Sequence, residues 1–98
     1  MRFKQQLEFM QTEDSQKVIK RFFEALELLK QKKIIRGKQT FTKRYGINRW
    51  NMNTLQKNTQ SDMFQTAWLT YLVRDYNISA TWLLTGVGKP LKEKVTDS

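Results

Sequence analysis

Ninety-eight residues suffice for one modest hydrophobic core, and a composition that is 39% hydrophobic and 12% aromatic is that of a globular chain. Cysteine and histidine are both absent, which excludes disulfides, thiol chemistry, imidazole acid–base catalysis and most zinc sites. Lys and Arg number 18 against 9 Asp and Glu, a net charge of +9 that points to a polyanionic partner.

A single proline, Pro90, and four glycines interrupt the chain, and strand-like alternation is scarce. An all-α domain is predicted. Residues 1–12 form an extra N-terminal arm, with Phe3, Leu7, Phe9 and Met10 as its apolar side chains. From Ser15 to about Lys33, the residues Val18, Ile19, Phe22, Phe23, Leu26 and Leu29 recur every three or four positions, one face of an amphipathic helix. Asp14 or Ser15 is the expected cap, and Gly37 the expected stop. A short segment from Lys38 to Tyr45 carries Phe41 and Tyr45, and Gly46 breaks it. Asn48 caps a third segment, Arg49 to Lys57, that turns Met52 and Leu55 inward. Ser61 or Asp62 opens a fourth helix, Met63 to Tyr76, with Phe64, Trp68 or Leu69, Leu72, Val73 and Tyr76 on its apolar side. Asn77 to Gly86 is a last short helix capped by Ser79, where Trp82, Leu83 and Leu84 complete the core. The expected organisation is an arm at 1–12, a helical domain at 13–88 that holds the segments on either side of Gly46, and a flexible polar tail at 89–98.

The stretch "YGINRWNMNTLQKNTQ", residues 45–60, holds four asparagines and no acid. Asparagine is a mediocre helix former, so composition alone describes a loop. The apolar spacing describes something else. Counted from Lys38 as the first position, Phe41, Tyr45, Ile47, Met52 and Leu55 fall at positions 4, 8, 10, 15 and 18, with Gly46 at position 9. Two short helices meeting at a glycine that takes positive φ, clamped by an apolar set, make a helix-turn-helix. The same spacing also suits an ordinary helical hairpin. If the second helix enters a major groove, its free face offers Asn48, Arg49, Trp50, Asn53, Thr54 and Lys57 as base contacts. Asparagine pairs with adenine, arginine with guanine, and threonine meets a thymine methyl. Lys38, Gln39, Lys43 and Arg44 are the candidate phosphate contacts. Trp50 either wedges against a sugar or thymine methyl, or folds back over Tyr45. The predicted core contains Phe22, Leu26, Phe41, Tyr45, Ile47, Met52, Leu55, Leu72, Trp82 and Leu83.

Charge is distributed unevenly. Between Glu27 and Asp62 there is no acid, yet nine bases lie there: Lys30, Lys32, Lys33, Arg36, Lys38, Lys43, Arg44, Arg49 and Lys57. They equal the whole net charge, and the remaining bases and acids cancel.

The order of five helices resembles the lambda-repressor-like (Xre-type) helix-turn-helix domains. The ending "YNISATWLLTGVGKP" is similar to the end of many phage-type repressor domains, and "WLLTGVG", residues 82–88, is the most specific part. The resemblance covers about residues 15–90. It implies a compact five-helix bundle and a sequence-specific DNA-binding regulator of repressor type. Thr42 stands where that family usually has a smaller residue, "KNTQS" lacks the usual glycine or proline, and residues 1–12 have no counterpart.

Double-stranded DNA is therefore the expected partner, with a weak homodimer formed through the arm or the "WLLTG" segment. An alternative is a protein-interaction module of the same fold, antitoxin-like or anti-repressor, that does not read DNA. A third reading is a basic amphipathic membrane or calmodulin-type binder through "KVIKRFFEALELLKQKK", which Glu24 and Glu27 interrupt. Catalysis is not expected, since a hydrolase here would need clustered acids where the motif has none. No cofactor, metal or small-molecule ligand is expected. No run of about 18 apolar residues exists to span a membrane, and "MRFKQQLEFMQTED" lacks a signal-peptide core, so a cytoplasmic location is expected.

Overall fold

The computed structural model describes residues 12–59 and 64–92. The expected arm contacts of Phe3, Leu7, Phe9 and Met10, and the expected caps Ser61 and Asp62, lie outside those residues. The described residues form five helices: α1 (Glu13–Gln31), α2 (Lys38–Tyr45), α3 (Arg49–Lys57), α4 (Ala67–Tyr76) and α5 (Ala80–Thr85). Among them there is no strand, only an isolated antiparallel bridge between Ile78 and Leu91. The all-α expectation holds. None of the helices is long and apolar enough to cross a membrane. The chain divides into two compact units, residues 1–64 and residues 65–98.

In the first unit, α1 starts earlier than the capping pattern suggested. Thr12, not Asp14 or Ser15, is the N-cap, and its hydroxyl accepts from the Ser15 amide at 3.1 Å. Glu13 and Asp14 then occupy the first turn, where the helix dipole favours acids. The stop also differs. Gly37 does not end α1; it is the N-cap residue of α2, in extended backbone. The left-handed residue that closes α1 is Lys33, with φ of 63°. Its amide donates to Lys30 O at 2.9 Å, and the Ile34 amide donates to Leu29 O at 2.9 Å, the paired bonds of a Schellman ending. The chain then turns inward, so that Ile35 is buried while Ile34 is exposed.

Ile19, Phe22, Ala25, Leu26 and Leu29 form the buried stripe of α1. Phe22 is its centre. Its ring meets Phe23, Phe41 and Phe64 edge-on, at centroid separations of 5.0, 5.6 and 5.3 Å. Phe64, expected on the fourth helix, lies outside it, because α4 begins only at Ala67. Phe41 is fully buried and packs at 4.9 Å against Tyr45. Tyr45 and Ile47, both expected in the core, are half-buried. Tyr45 also carries the Arg44 guanidinium 5.2 Å from its ring centroid, so its ring serves a cation as well as the core.

The connector between α2 and α3 follows the predicted chemistry. Gly46 ends α2 at φ of 66° and ψ of 34°, in the left-handed region. The Ile47 amide donates to Thr42 O at 2.8 Å. Asn48 then caps α3, its Oδ1 accepting from the Asn51 amide at 3.0 Å. Met52 and Leu55 are fully buried beneath α3. Thr42 is buried as well, and its hydroxyl is satisfied by donating to Gln39 O at 3.2 Å.

In the second unit, α4 buries Trp68, Leu72 and Tyr76. Asn77 ends it in the left-handed conformation, with φ of 62°. Ile78 is then fully buried, and Ser79 caps α5 by accepting from the Trp82 amide at 3.2 Å. Trp82 and Leu83 are buried, but Leu84, expected beside them, is 54% exposed. A six-residue helix cannot turn three consecutive side chains to one side. The expected free tail is held at its start. The Ser79 amide donates to Pro90 O at 2.7 Å, and the Lys92 amide to Asn77 O at 3.0 Å.

Nothing lies within 4 Å of a Cβ built on Gly46, so substitution there meets a backbone penalty and no steric one. Gly46→Val is expected to cost about 1–3 kcal/mol in chemical denaturation. Gly46→Asn should lose less, because asparagine tolerates the left-handed region. Lys33→Gly is expected to gain about 0.5–1 kcal/mol, the left-handed cost less glycine's unfolded-state entropy. An unchanged denaturation midpoint for Gly46→Val would contradict a left-handed turn at Gly46.

Candidate nucleic-acid interface

α3 has two distinct sides. Met52 and Leu55 are buried, Asn51 and Thr54 are half-buried, and Arg49, Trp50, Asn53, Gln56 and Lys57 are exposed. The exposed positions recur at spacings of one, three and four, which is one stripe on a 3.6-residue helix. Of the predicted base contacts, Arg49, Trp50, Asn53 and Lys57 share this stripe. Thr54 sits at its edge. Asn48 precedes the helix, exposed, with its side-chain oxygen engaged as the cap. Trp50 is 68% exposed and so is not folded into the core.

Gln56, not among the expected base contacts, is exposed on the same stripe. It lies three residues beyond Asn53, the spacing that places two side chains on one helical face, and that spacing was the available signal.

The candidate phosphate contacts come from both ends of α2. Gln39, Lys43 and Arg44 are exposed. Lys38 is half-buried, and its ammonium faces α3. It donates to Asn53 Oδ1 at 3.0 Å and to Gln56 Oε1. An open depression of about 420 Å³ is lined by Lys38, Gln39, Arg49 and Asn53. A larger hollow of about 660 Å³ includes Glu24 and Glu27 along with Lys20, Lys30 and Arg36. Its two carboxylates make it a poorer seat for a polyanion than the acid-free α2–α3 face.

All nine bases of the acid-free segment lie among the described residues, and every one except Lys38 is exposed. Among the described residues no group of three or more acids, histidines or cysteines could hold a metal ion. No family model, curated protein or solved structure matches the chain.

The two sides of α3 predict opposite mutational outcomes. Trp50→Ala should change folding stability by no more than about 0.5 kcal/mol, as expected for an exposed side chain away from packing. Met52→Ala and Leu55→Ala should each cost about 2–5 kcal/mol. Thermal melts of the three variants decide it, and a large loss from Trp50→Ala would contradict the exposure of its ring.

Proposed function

We propose that this protein is a sequence-specific, double-stranded DNA-binding transcriptional regulator of repressor type that reads the major groove with α3. The observation that carries the reading is the α2–Gly46–α3 pair, whose outer stripe is exposed and polar within an acid-free, nine-cation segment. An α-helix fits the width of the major groove, and cations beside it offset phosphate charge. The resemblance of the sequence to lambda-repressor-like domains supports the same function. In this reading Arg49 and Asn53 meet base edges, Lys57 and Trp50 extend the contact, and Gln39, Lys43 and Arg44 hold phosphates.

If about five to eight of the cations displace counterions, log K against log salt falls with a slope of roughly −4.5 to −7. Arg49→Ala should cost about 1–3 kcal/mol on the preferred site and relax preference at one base pair. Lys43→Ala should weaken all duplexes alike. Binding selection from random duplexes at near-physiological salt, followed by titration of these variants, measures all three effects. Flat enrichment would instead favour a protein-interaction module of the same fold.

The reader also acts as a weak homodimer. The nine residues of α3 extend only about 13 Å, about four base pairs of groove, which is half of a useful site. Leu84 and Val87, 54% and 65% exposed at the end of α5, offer apolar surface for the second copy. Two half-sites about 34 Å apart are expected. Sedimentation should show a concentration-dependent dimer, and DNA titration two chains per operator. A strictly monomeric chain that binds one half-site without cooperativity would rule the dimer out.

A further inference from the structure

We infer that Lys38 is a positioning residue for base readout, and that it sets Asn53 to prefer guanine over adenine. The inference rests on the DNA-binding reading above and names the base preference of that same face.

An ammonium group has three donors and no acceptor. At Lys38, two of them point to side-chain oxygens on α3, Asn53 Oδ1 at 3.0 Å and Gln56 Oε1. Reversing either amide would set an NH2 group against a cation, so the ammonium itself dictates the orientation. Both oxygens are turned towards Lys38 and both NH2 groups away from it. The positive charge also polarises the two amides, which strengthens their outward N–H donors.

This orientation changes what Asn53 can recognise. The bidentate asparagine–adenine pair needs the amide oxygen to accept from the adenine N6 amino group while the NH2 group donates to N7. Oδ1 keeps a second lone pair, but the Lys38 ammonium beside it repels the partial positive charge of an approaching amino group, so Asn53 offers the groove its donors rather than its acceptor. Guanine presents two acceptors there, N7 and O6, whereas adenine places an amino donor beside its N7. Donor facing donor disfavours adenine. Gln56, held in the same way one turn further along α3, joins Asn53 as a second donor on the reading face.

Three chains tested together decide the point: wild type, Lys38→Met and Asn53→Ala, each carried through selection from random duplexes at one salt concentration. The position whose preference vanishes in Asn53→Ala marks the base that Asn53 meets. Wild type should select guanine there. Lys38→Met keeps the length of the side chain and removes the donors. It should move that position towards adenine by about tenfold, with the salt slope unchanged. Without DNA, the side-chain amide NMR signals of Asn53 and Gln56 should shift in Lys38→Met. If Lys38→Met instead weakens every duplex alike and reduces the salt slope by about one, Lys38 is a phosphate contact and the inference is overturned. Amide signals that stay in place on Lys38→Met overturn it as well. Flat enrichment by the wild-type chain would overturn the DNA-binding reading, and the inference with it.

Discussion

The edge-on contact between Phe22 and Phe41 is the constraint on which the first unit depends. Phe22 lies mid-way along α1, and Phe41 is, with Thr42, one of the two buried residues of α2. Both rings are fully buried. An eight-residue helix such as α2 is too short to persist on its own propensity, so its existence follows from this burial. Once Phe41 is seated, Thr42 must follow it into the interior, and its hydroxyl finds a partner in the carbonyl of Gln39. Gly46 can then reverse the chain without steric cost, and α3 is delivered with Met52 and Leu55 facing in. The polar stripe of α3 is outward because its apolar pair is inward.

That arrangement gives the unusual composition of α3 a physical account. Asn51 and Asn53 weaken the helix by propensity alone. Asn48 compensates at the start, as the cap, and Met52 and Leu55 compensate along its length by burial. Stability and the proposed recognition thus fall to different residues of one short helix. The outer stripe is free to be chosen for its donors and acceptors, and Lys38 from α2 controls how two of them are presented.

Legibility in the sequence varied with the kind of signal. The bounds of α2 and α3 were readable because chain-turning residues bracket them, Gly46 between the helices and Asn48 at the cap. The buried positions Phe22, Leu26, Phe41, Met52 and Leu55 were readable from periodicity. The end of α1 was not, because a lysine took the left-handed position that a glycine was expected to hold. Ile35 and Ile78 were missed as core residues for a related reason. Each is buried just past a helix end, where the chain reverses and helical periodicity no longer applies. Leu84 erred the other way, since an apolar run of three cannot all face one side of a helix. In the candidate interface, the exposed stripe was legible, but the turning of Lys38 towards α3 was not. Composition counts a lysine as a charge, and only the three-dimensional placement of α2 against α3 shows where that charge is spent.

The same placement bears on the charge argument. Nine cations without an acid between Glu27 and Asp62 make a general attraction for polyanions, and such attraction does not distinguish one sequence from another. Discrimination comes from the edge an amide presents, and an amide held in one orientation before the duplex arrives presents a different edge from one that is free to turn its oxygen and its NH2 group together to adenine. Asn53 and Gln56 are polar, exposed and on flexible stems, the sort of side chains that would otherwise sample both orientations. A single cation reaching from the start of α2 removes that freedom from both. The short helix that Phe41 anchors therefore contributes twice to the proposed reading face: it holds α3 in place from beneath, and through Lys38 it orders two of the donors on top.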